Sequence, residues 1–299
     1  MTGPIAVFGA HGQLGQEILH LACQRGMAIA GLARADADIV DAQAVRRALA
    51  QLKPRLIVNA AAYTAVDRAE TEPEAAEAGN VTGPGVLAQE AAALGVPIVH
   101  FSTDFVFDGT KAGRYHETDP VNPAGVYGCS KAAGEVRVRE SNPRHIIVRT
   151  AWVYGQYGTN FLKTILNLAE QRDVLRVVAD QHGGPTATLD LAEAVLAIDR
   201  LITARPGATP WGTFHFAATD IASRHEFASE IVAAAQRYTS KLPKVLAVST
   251  AEYPVLARRP ANSALDSARF IGTFGYAPAP WRARVREVVQ QLFQPAGKD

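Results

Sequence analysis

The chain has 299 residues, of which 48% are hydrophobic and 20% are charged, and these are ordinary values for a globular protein with a substantial core. Its formal net charge is +1 at pH 7, so no overall field favours nucleic acid or an anionic membrane surface as a partner. The two cysteines, Cys23 and Cys129, are too few for a disulfide framework and show no metal-ligand spacing. Because no apolar run resembles a signal peptide or approaches a membrane span, we expect an unprocessed, soluble, cytoplasmic protein.

Short apolar runs alternate with longer helical patterns along the first half of the chain. The predicted strands are Ile5 to Phe8, Ile29 to Leu32, Leu56 to Asn59, Ile98 to Ser102 and Ile146 to Arg149. The predicted helices are Gln13 to Arg25, Ala42 to Leu52, Val81 to Leu94 and Tyr127 to Ser141. This alternation predicts the α/β class, with a doubly wound parallel sheet of the Rossmann type that is buried on both faces.

After about Gly155 the pattern changes to helices separated by short strands and many turn residues. We interpret this part as a smaller α/β substrate-binding lobe. Residues 1–155 are expected to form mainly an NAD(P)-binding Rossmann domain and residues 156–299 mainly the substrate-binding lobe, with some segments interleaved. A final amphipathic helix is predicted in "WRARVREVVQQLF", whose inward residues are Val285, Val288, Val289 and Phe293.

A glycine loop follows the first predicted strand. In "VFGAHGQLGQEI", Gly9, Gly12 and Gly15 stand between that strand and the first helix. Glycine permits a tight turn and a close approach of the backbone to a pyrophosphate, and the helix N-terminus offers free N–H groups to the anion. A structural turn is the alternative, but the strand-loop-helix context favours dinucleotide binding. The spacing is G-x-x-G-x-x-G, unlike the G-x-G-x-x-G of most dehydrogenases.

The end of the second predicted strand bears on the choice of dinucleotide. In "GLARADAD", Ala33 and Arg34 stand where NAD enzymes usually carry an acidic ribose ligand. Arg34 is suited to a 2′-phosphate, so the sequence favours NADPH, with NADH as the alternative. Asp36 and Asp38 lie close by, and a solvent-facing role for Arg34 remains open.

A tyrosine and a lysine lie four positions apart in "VYGCSK", directly after the turn residues Pro120 to Gly125. On a helix, Tyr127 and Lys131 would share one face, and a nearby ammonium favours the phenolate and lowers the pKa of the tyrosine. The pair is therefore either a tuned acid or a chance pairing on a solvated face.

Further motifs carry a resemblance that covers essentially the whole chain. The glycine loop with "YGCSK" resembles the extended short-chain dehydrogenases/reductases. Within that superfamily the chain is similar to the dTDP-4-dehydrorhamnose reductases, on the strength of "VNAAAYTAVDRAE" at 58–70, "FSTDFVFDGT" at 101–110, "RTAWVYG" at 149–155, "DQHGGPT" at 180–186 and "RRPANSALD" at 258–266. The resemblance implies NAD(P)H-dependent reduction of the 4-keto group of a dTDP-sugar, the last step of dTDP-L-rhamnose synthesis.

The resemblance also implies roles for individual residues. Tyr127 would donate a proton to the sugar ketone, Lys131 would hold the nicotinamide ribose and lower the tyrosine pKa, and Thr103 would polarise the substrate oxygen. The expected cofactor-binding residues, with Arg34 added from the strand-end argument, are Gly9, Gly12, Gln13, Leu14, Gly15, Arg34, Asp38, Ile39, Ala60, Ala61, Ala62, Tyr63, Thr64, Tyr127 and Lys131.

On the substrate side, the resemblance places Thr103, Asp104 and Trp152 against the deoxysugar, with a core aromatic as the alternative for Trp152. We add Arg258, Arg259 and Asn262, because a diphosphate bound by a nearly neutral protein needs local donors, although a solvated turn would explain them equally well. Asn80, which stands before a helix, is either part of the site or a helix cap.

Some members of the family bind magnesium through glutamates at a dimer interface. Glu17 matches one of those glutamates, but the other two positions fall near Leu189 and at Gln291. Without these carboxylates a hard cation lacks oxygen ligands. We therefore predict no metal ion, and a monomer and a homodimer both remain open.

Two other functions are compatible with the motifs. One is a sugar-nucleotide epimerase or dehydratase of the same superfamily, which would keep NAD tightly bound; the lack of an acid after Leu32 argues against it. The other is a non-catalytic, cofactor-binding regulatory subunit like that of methionine adenosyltransferase. Thr103, Tyr127 and Lys131 are all present, which favours catalysis.

Overall fold

The computed structural model describes residues 3–205 and 207–294. In chain order, its strands are β1 Ile5–Phe8, β2 Ile29–Leu32, β3 Leu56–Asn59, β4 Ile98–Thr103, β5 His145–Thr150, β6 Val153–Tyr154, β7 Val174–Val178, β8 His182–Gly183, β9 Thr186–Ala187, β10 Gly212–His215, β11 Ala222–Ser223, β12 Lys244–Val248 and β13 Asn262–Ser263. Its helices are α1 Gln13–Gln24, α2 Ala42–Leu52, α3 Val66–Ala69, α4 Pro73–Glu77, α5 Gly83–Ala93, α6 Val126–Ser141, α7 Phe161–Gln171, α8 Thr188–Ala204, α9 Arg224–Ala235, α10 Ala268–Phe274 and α11 Trp281–Phe293.

The main sheet has six parallel strands in the order β10-β5-β4-β3-β1-β2. Every residue of β1, β3 and β4 is buried, as expected for strands with helices on both faces. Residues of α1, α8 and α10 pack on one face and residues of α2, α5 and α6 on the other. The predicted doubly wound parallel sheet is therefore confirmed, and β4 and β5 extend slightly beyond their predicted ends.

The sixth strand comes from the second half of the chain. β10 pairs with β5, and α8 and α10 join the hydrophobic layer that also contains α1. A separate hydrophobic cluster is formed by α7, α9, α11 and the short strands around them. In α11, Val285, Val288 and Val289 are buried, and Phe293 is half-buried and stacks on Tyr238. The division of the chain near residue 155 into two domains stays a prediction.

The predicted helix from Val81 to Leu94 differs from the structure at its start. A π-helical turn over Ala78–Thr82 precedes α5. The Asn80 side chain accepts from the Tyr63 N–H at 2.9 Å and donates to the Tyr63 carbonyl and to Ser130 Oγ. Asn80 is thus not a helix cap. It ties three segments together, and a widened turn is a common feature beside functional sites.

Candidate active site

A cavity of about 1160 Å³ opens at the carboxyl ends of β1, β3, β4 and β5. In parallel α/β sheets this edge is where ligands bind. Residues of α7, β7 and the segment 253–259 line its other side. The predicted site residues that line it are Gly12, Gln13, Leu14, Ala60, Ala62, Thr64, Thr103, Asp104, Tyr127, Lys131, Trp152 and Arg259.

The glycine loop has the geometry of a dinucleotide cradle. Gly9 has a φ of +83°, and a Cβ there would lie 2.6 Å from the Ala61 backbone nitrogen. A Cβ at Gly15 would overlap the carbonyl oxygen of Gly9. Gly12 lines the cavity and forms the N-terminal boundary of α1 without a side-chain cap, so the first N–H groups of the helix are free for an anion. The loop therefore fits the pyrophosphate of a dinucleotide.

Tyr127 and Lys131 are presented at the N-terminal end of α6, where both are buried and line the cavity. The helix begins after Gly125, which is extended and has no side chain to cap it. The cap is instead supplied by Glu70, which is distant in the sequence and whose Oε1 accepts from the Val126 N–H at 2.9 Å. The Tyr127 ring packs edge-on against Phe105, with ring centroids 5.5 Å apart.

The electrostatics of the pair correct one expectation from the sequence. Burial raises the pKa of Tyr127 to about 12, so the lowering by Lys131 that we expected does not decide the balance. Burial also lowers the pKa of Lys131 to about 8, against the opposing effect of Glu135. Lys131 Nζ donates to the Phe101 carbonyl at 2.7 Å. At neutral pH the phenol therefore holds its proton, and most of the lysine is charged.

A buried ion-pair network lies behind Lys131. Glu135, one helical turn further along α6, accepts from Arg149 Nε at 2.8 Å and Nη2 at 2.7 Å, and from Ser102 Oγ at 2.7 Å. Burial alone would raise the pKa of Glu135, but the hydrogen bond and charge of Arg149 outweigh it and the pKa is lowered. The bidentate pair with Arg149 fixes α6 against β5, and the hydrogen bond from Ser102 fixes it against β4.

Thr103 is the last residue of β4, Asp104 follows it directly, and the two form one hydrogen-bonded unit. Thr103 Oγ1 donates to Asp104 Oδ1 at 3.0 Å. Asp104 Oδ2 is buried and has no hydrogen-bond partner among the described residues. Burial raises the pKa of Asp104 above its usual range. An acceptor left unmatched in this way is suited to a hydroxyl of a bound ligand.

Trp152 combines the two roles that the sequence left open. Its ring lines the cavity and also belongs to the hydrophobic cluster that contains α7, α9 and α11, beside Phe227. A Cβ at Gly183 would lie 2.6 Å from the ring. Trp152 has a φ of +50°, a left-handed conformation that is costly for a bulky residue and is typically found at functional sites.

The guanidinium of Arg224 covers the Trp152 ring, with its Cζ 3.7 Å from the ring centroid. Arg224 is half-buried and lines the cavity. Burial lowers its pKa to about 10, although Asp104 opposes this. No carboxylate among the described residues pairs with this cation, so it is available to an anion.

Several expected cofactor residues lie away from the cavity lining. Arg34 Nε donates to Asp38 Oδ2 at 2.8 Å, and the Arg34 side chain is 84% exposed. Ile39 is buried against Gly83. Gly9, Gly15, Ala61 and Tyr63 also lie outside the lining. The cofactor roles of all these residues stay predictions.

On the substrate side, the structure separates three residues that the sequence grouped together. Arg259 lines the cavity, whereas Arg258 is exposed and Asn262 is turned elsewhere. The Asn262 amide donates to the carbonyls of Lys111 and Gly113, and its oxygen accepts from the Ala264 N–H. These bonds show that Asn262 holds a turn, and its place beside the substrate stays a prediction.

Glu17, the residue that suggested a metal, is buried in α1. Its carboxylate accepts from Thr188 Oγ1 at 2.6 Å and from Gln156 Nε2 at 3.3 Å. Across residues 3–205 and 207–294, no group of three or more His, Cys, Asp and Glu side chains is placed to hold a metal ion. Glu17 thus ties α1 to α8 and to the segment after β6. In the same described ranges, no helix is both long enough and apolar enough to cross a membrane.

Sequence reasoning missed three residues of the site. Arg224 lines the cavity, Asp67 in α3 bonds the cavity-lining Arg259, and Glu70 bonds the first N–H of α6. Ser223 and Glu226 form a capping box, which could have placed Arg224 at the start of a helix. Nothing local indicates that this helix end faces the cavity. Asp67 and Glu70 stand inside the motif "AYTAVDRAE", but their partners are distant in the sequence.

Comparison with known proteins matches the chain over nearly its whole length. The family model described as "RmlD substrate binding domain" matches residues 3–294. The chain is 42% identical over 295 residues to the dTDP-4-dehydrorhamnose reductase of Sinorhizobium fredii, covering 99% of each chain. It is 41% identical over 288 residues to that of Aggregatibacter actinomycetemcomitans, covering 95% of this chain and 97% of the relative.

A solved structure gives the same result in three dimensions. The dTDP-4-dehydrorhamnose reductase of Bacillus anthracis, solved in complex with NADP, superimposes with a TM-score of 0.87 at 34% identity. The match covers 96% of this chain and 99% of that one. By its family model, its relatives and its fold, the chain belongs to the RmlD family of dTDP-4-dehydrorhamnose reductases.

Proposed function

We propose that this protein reduces the 4-keto group of dTDP-4-dehydro-L-rhamnose to give dTDP-L-rhamnose, with NADPH as the reductant. One observation carries the proposal: Thr103, Tyr127 and Lys131 line the same cavity as the glycine loop, in a chain about as long as relatives named for this reaction. The fold alone would not define the substrate.

The cofactor would lie along the carboxyl ends of β1 and β3. Gly12, Gln13 and Leu14 would meet its pyrophosphate, and Ala60, Ala62 and Thr64 would support the part that reaches towards Lys131. When bound, the reduced nicotinamide supplies the hydride for carbon 4. The NADP bound by the Bacillus anthracis relative supports NADPH as the cofactor of this chain.

Tyr127 supplies the proton. With its pKa raised to about 12 by burial, the phenol is fully protonated at neutral pH and can donate to the substrate oxygen as negative charge develops there. The resulting phenolate is unfavourable in a buried site, and a charged Lys131 offsets this cost. The Thr103 hydroxyl donates to Asp104 Oδ1 at 3.0 Å, and it would have to turn away from that carboxylate to donate to the substrate oxygen.

The nucleotide sugar would occupy the side of the cavity formed by both lobes. Asp104 Oδ2 is the acceptor for a sugar hydroxyl, and Trp152 gives the sugar an apolar boundary. Arg224 and Arg259 bring two guanidinium groups to the cavity of a protein whose net charge is +1. A diphosphate needs such local donors.

The test is to measure NADPH consumption with dTDP-4-dehydro-L-rhamnose and, in parallel, with its unepimerised precursor. We expect turnover of the former, with dTDP-L-rhamnose as product, and little with the latter. The same preparation is examined for tightly bound NAD. Bound NAD together with redox-neutral conversion of the sugar would indicate an epimerase or a dehydratase, and cofactor binding without turnover of either sugar would indicate a regulatory subunit.

A further inference from the structure

One irregular segment contributes three side chains to the cavity lining. We call residues 250–259 the strap. Tyr253 and Val255 line the cavity, although they are 53% and 40% exposed, and Leu256 is 65% exposed. Beyond the short 3-10 turn Thr250–Glu252, the strap has no regular secondary structure. Its position depends on the contacts at its two ends.

The first end of the strap is anchored within its own lobe. The carboxylate of Asp180 accepts from the Thr250 N–H at 2.8 Å and from Thr250 Oγ1 at 2.6 Å. Gln181 Nε2 donates to Thr250 Oγ1 at 3.1 Å. These contacts are local to the smaller lobe and leave the other end of the strap to be held separately.

The second end is held by a carboxylate from the Rossmann side. Asp67 Oδ1 accepts from the Ala257 N–H at 3.1 Å, and Asp67 Oδ2 accepts from Arg259 Nη2 at 2.6 Å. Asp67 lies in α3, directly after the segment 60–64 that lines the cofactor side of the cavity. One carboxylate therefore fixes both the backbone and a side chain of the strap.

Arg259, the arginine of this pair, has N–H groups that make no hydrogen bond among the described residues. Arg259 lines the cavity, and its Nη1 is buried without a hydrogen-bond partner among the described residues. A guanidinium whose Nη2 is held by a carboxylate has its orientation fixed, so that its remaining N–H groups point in a set direction. The Phe105 ring lies 5.9 Å from the Arg259 Cζ and further restricts the group.

The same short stretch of chain also supports the catalytic helix. Glu70, three residues after Asp67, accepts from the first N–H of α6 at 2.9 Å. Residues 67–70 therefore hold two parts of the site. Asp67 bonds the strap, and Glu70 bonds the start of the helix that carries Tyr127. This arrangement gives the motif "VDRAE" a role that its sequence did not suggest.

We propose that Asp67 is a positioning residue that latches the strap over the cavity and aims Arg259 at the diphosphate of the nucleotide sugar. Asp67 itself does not touch the substrate. The inference rests on the proposed function for the identity of the substrate, but the latch can be tested without turnover, because dTDP carries the same diphosphate.

The experiment compares wild type with Asp67→Asn, which keeps the size of the side chain and removes its charge. We expect the Kd for dTDP and the KM for the sugar nucleotide to rise about tenfold, since a charge-assisted hydrogen bond is lost. The kcat and the NADPH affinity should change less than about threefold. Asp67→Glu should restore part of the dTDP affinity, because it keeps a carboxylate.

Limited trypsin digestion gives a second readout that needs no activity. Arg258 lies in the strap and is exposed, so cleavage after it reports opening of the strap. We expect dTDP to slow this cleavage in wild type, and Asp67→Asn to speed it several-fold. Glu230→Gln is the matched control, because it also removes a carboxylate that bonds an arginine, Arg286, and its recorded ion pairs are with Arg282 and Arg286, neither of which belongs to the strap. It should alter neither dTDP binding nor cleavage.

A double-mutant cycle with Arg259→Lys identifies the pair. Lysine keeps the charge but loses the fork, so Arg259→Lys alone should weaken dTDP binding, and adding Asp67→Asn should weaken it little more. Fully additive effects would overturn the latch. So would a lower melting temperature in Asp67→Asn with an unchanged dTDP Kd, or the absence of dTDP binding to wild type. Failure to reduce the sugar despite normal dTDP binding would count against the proposed function alone.

Discussion

The glycine loop contributes Gly12 to the cavity lining, and the proposed substrate wall, by which we mean Asp104, Trp152, Arg224 and Arg259, lines the same cavity but is built differently. The loop is a continuous stretch from Gly9 to Gly15, and the groups that it offers to an anion are backbone N–H groups. The wall is made of single side chains from four separate segments. Trp152 has a left-handed backbone conformation, and the guanidinium of Arg224 lies on the face of its ring. The first side is general for dinucleotides, and the second is where a particular sugar can be selected.

The largest effect is expected where the two sides meet. Tyr127→Phe removes the acid but keeps the ring that packs on Phe105. We expect turnover to fall about a hundredfold or more, with the affinities for NADPH and dTDP changed only a few-fold. Single-turnover kinetics and binding measurements on the same protein would check this. Turnover close to wild type would remove Tyr127 from its role as acid.

A substitution in the loop should affect one side alone. In Gly15→Ala, the new Cβ overlaps the carbonyl of Gly9, so the turn must shift and the N–H groups of α1 lose their aim. We expect NADPH affinity to fall by about tenfold or more, with a lower melting temperature and little change in dTDP affinity. Gly272→Ala is the control, because a Cβ there meets nothing within 4 Å. Equal loss of NADPH and dTDP binding would mean that the two sides are not separable.

The difference in construction also explains what the sequence could predict. The parallel sheet and the bounds of β1, β2 and β3 follow from local apolar runs and turn residues, and the glycine loop is a local motif. The sixth strand, β10, could not be placed because its partner β5 is far away in the sequence. The same holds for Arg224 over Trp152 and for Asp67 with Arg259. Such pairs depend on tertiary packing, which no local pattern encodes.

The proposed substrate wall can be tested at Trp152, which both packs in a hydrophobic cluster and lines the cavity. Because Trp152 is 9% exposed and lies in the hydrophobic cluster that contains α7, α9 and α11, Trp152→Ala should cost roughly 3–5 kcal/mol of stability and also raise the KM for the sugar nucleotide. Arg224→Gln should raise the KM about tenfold through loss of the cation, with a nearly unchanged melting temperature. If Arg224→Gln left the dTDP-sugar KM unchanged, the wall would be a packing feature only.

The pH dependence of the reaction tests the role of Lys131, which belongs to neither the glycine loop nor the wall. Because burial lowers its pKa to about 8 and the charged form is the useful one, kcat/KM should fall as the pH rises above about 8. The stability effect has the opposite sign. Between that pKa and the unfolded value of 10.5, the unfolded chain binds more protons, so this group makes unfolding less favourable as the pH rises. Lys131→Met should abolish both trends, and a kcat/KM profile unchanged by that substitution would assign the decline to another group.

The smallest effect is expected at Arg34, which lies outside the cavity lining and is 84% exposed. Its ion pair with Asp38 is an exposed i,i+4 contact, so breaking it costs little stability. Asp36 already accepts from the Ala33 N–H at 2.8 Å, which engages the nearest alternative acid for a ribose hydroxyl. If Arg34 meets a 2′-phosphate, Arg34→Ala should weaken NADPH binding several-fold and leave NADH unchanged. Asp38→Asn, which releases Arg34 from its ion pair, should shift the preference the other way. Titration of NADPH and NADH against both variants tests whether Arg34 binds the 2′-phosphate. Equal losses of affinity for NADPH and NADH would mean that Arg34 faces solvent and that another donor binds the 2′-phosphate.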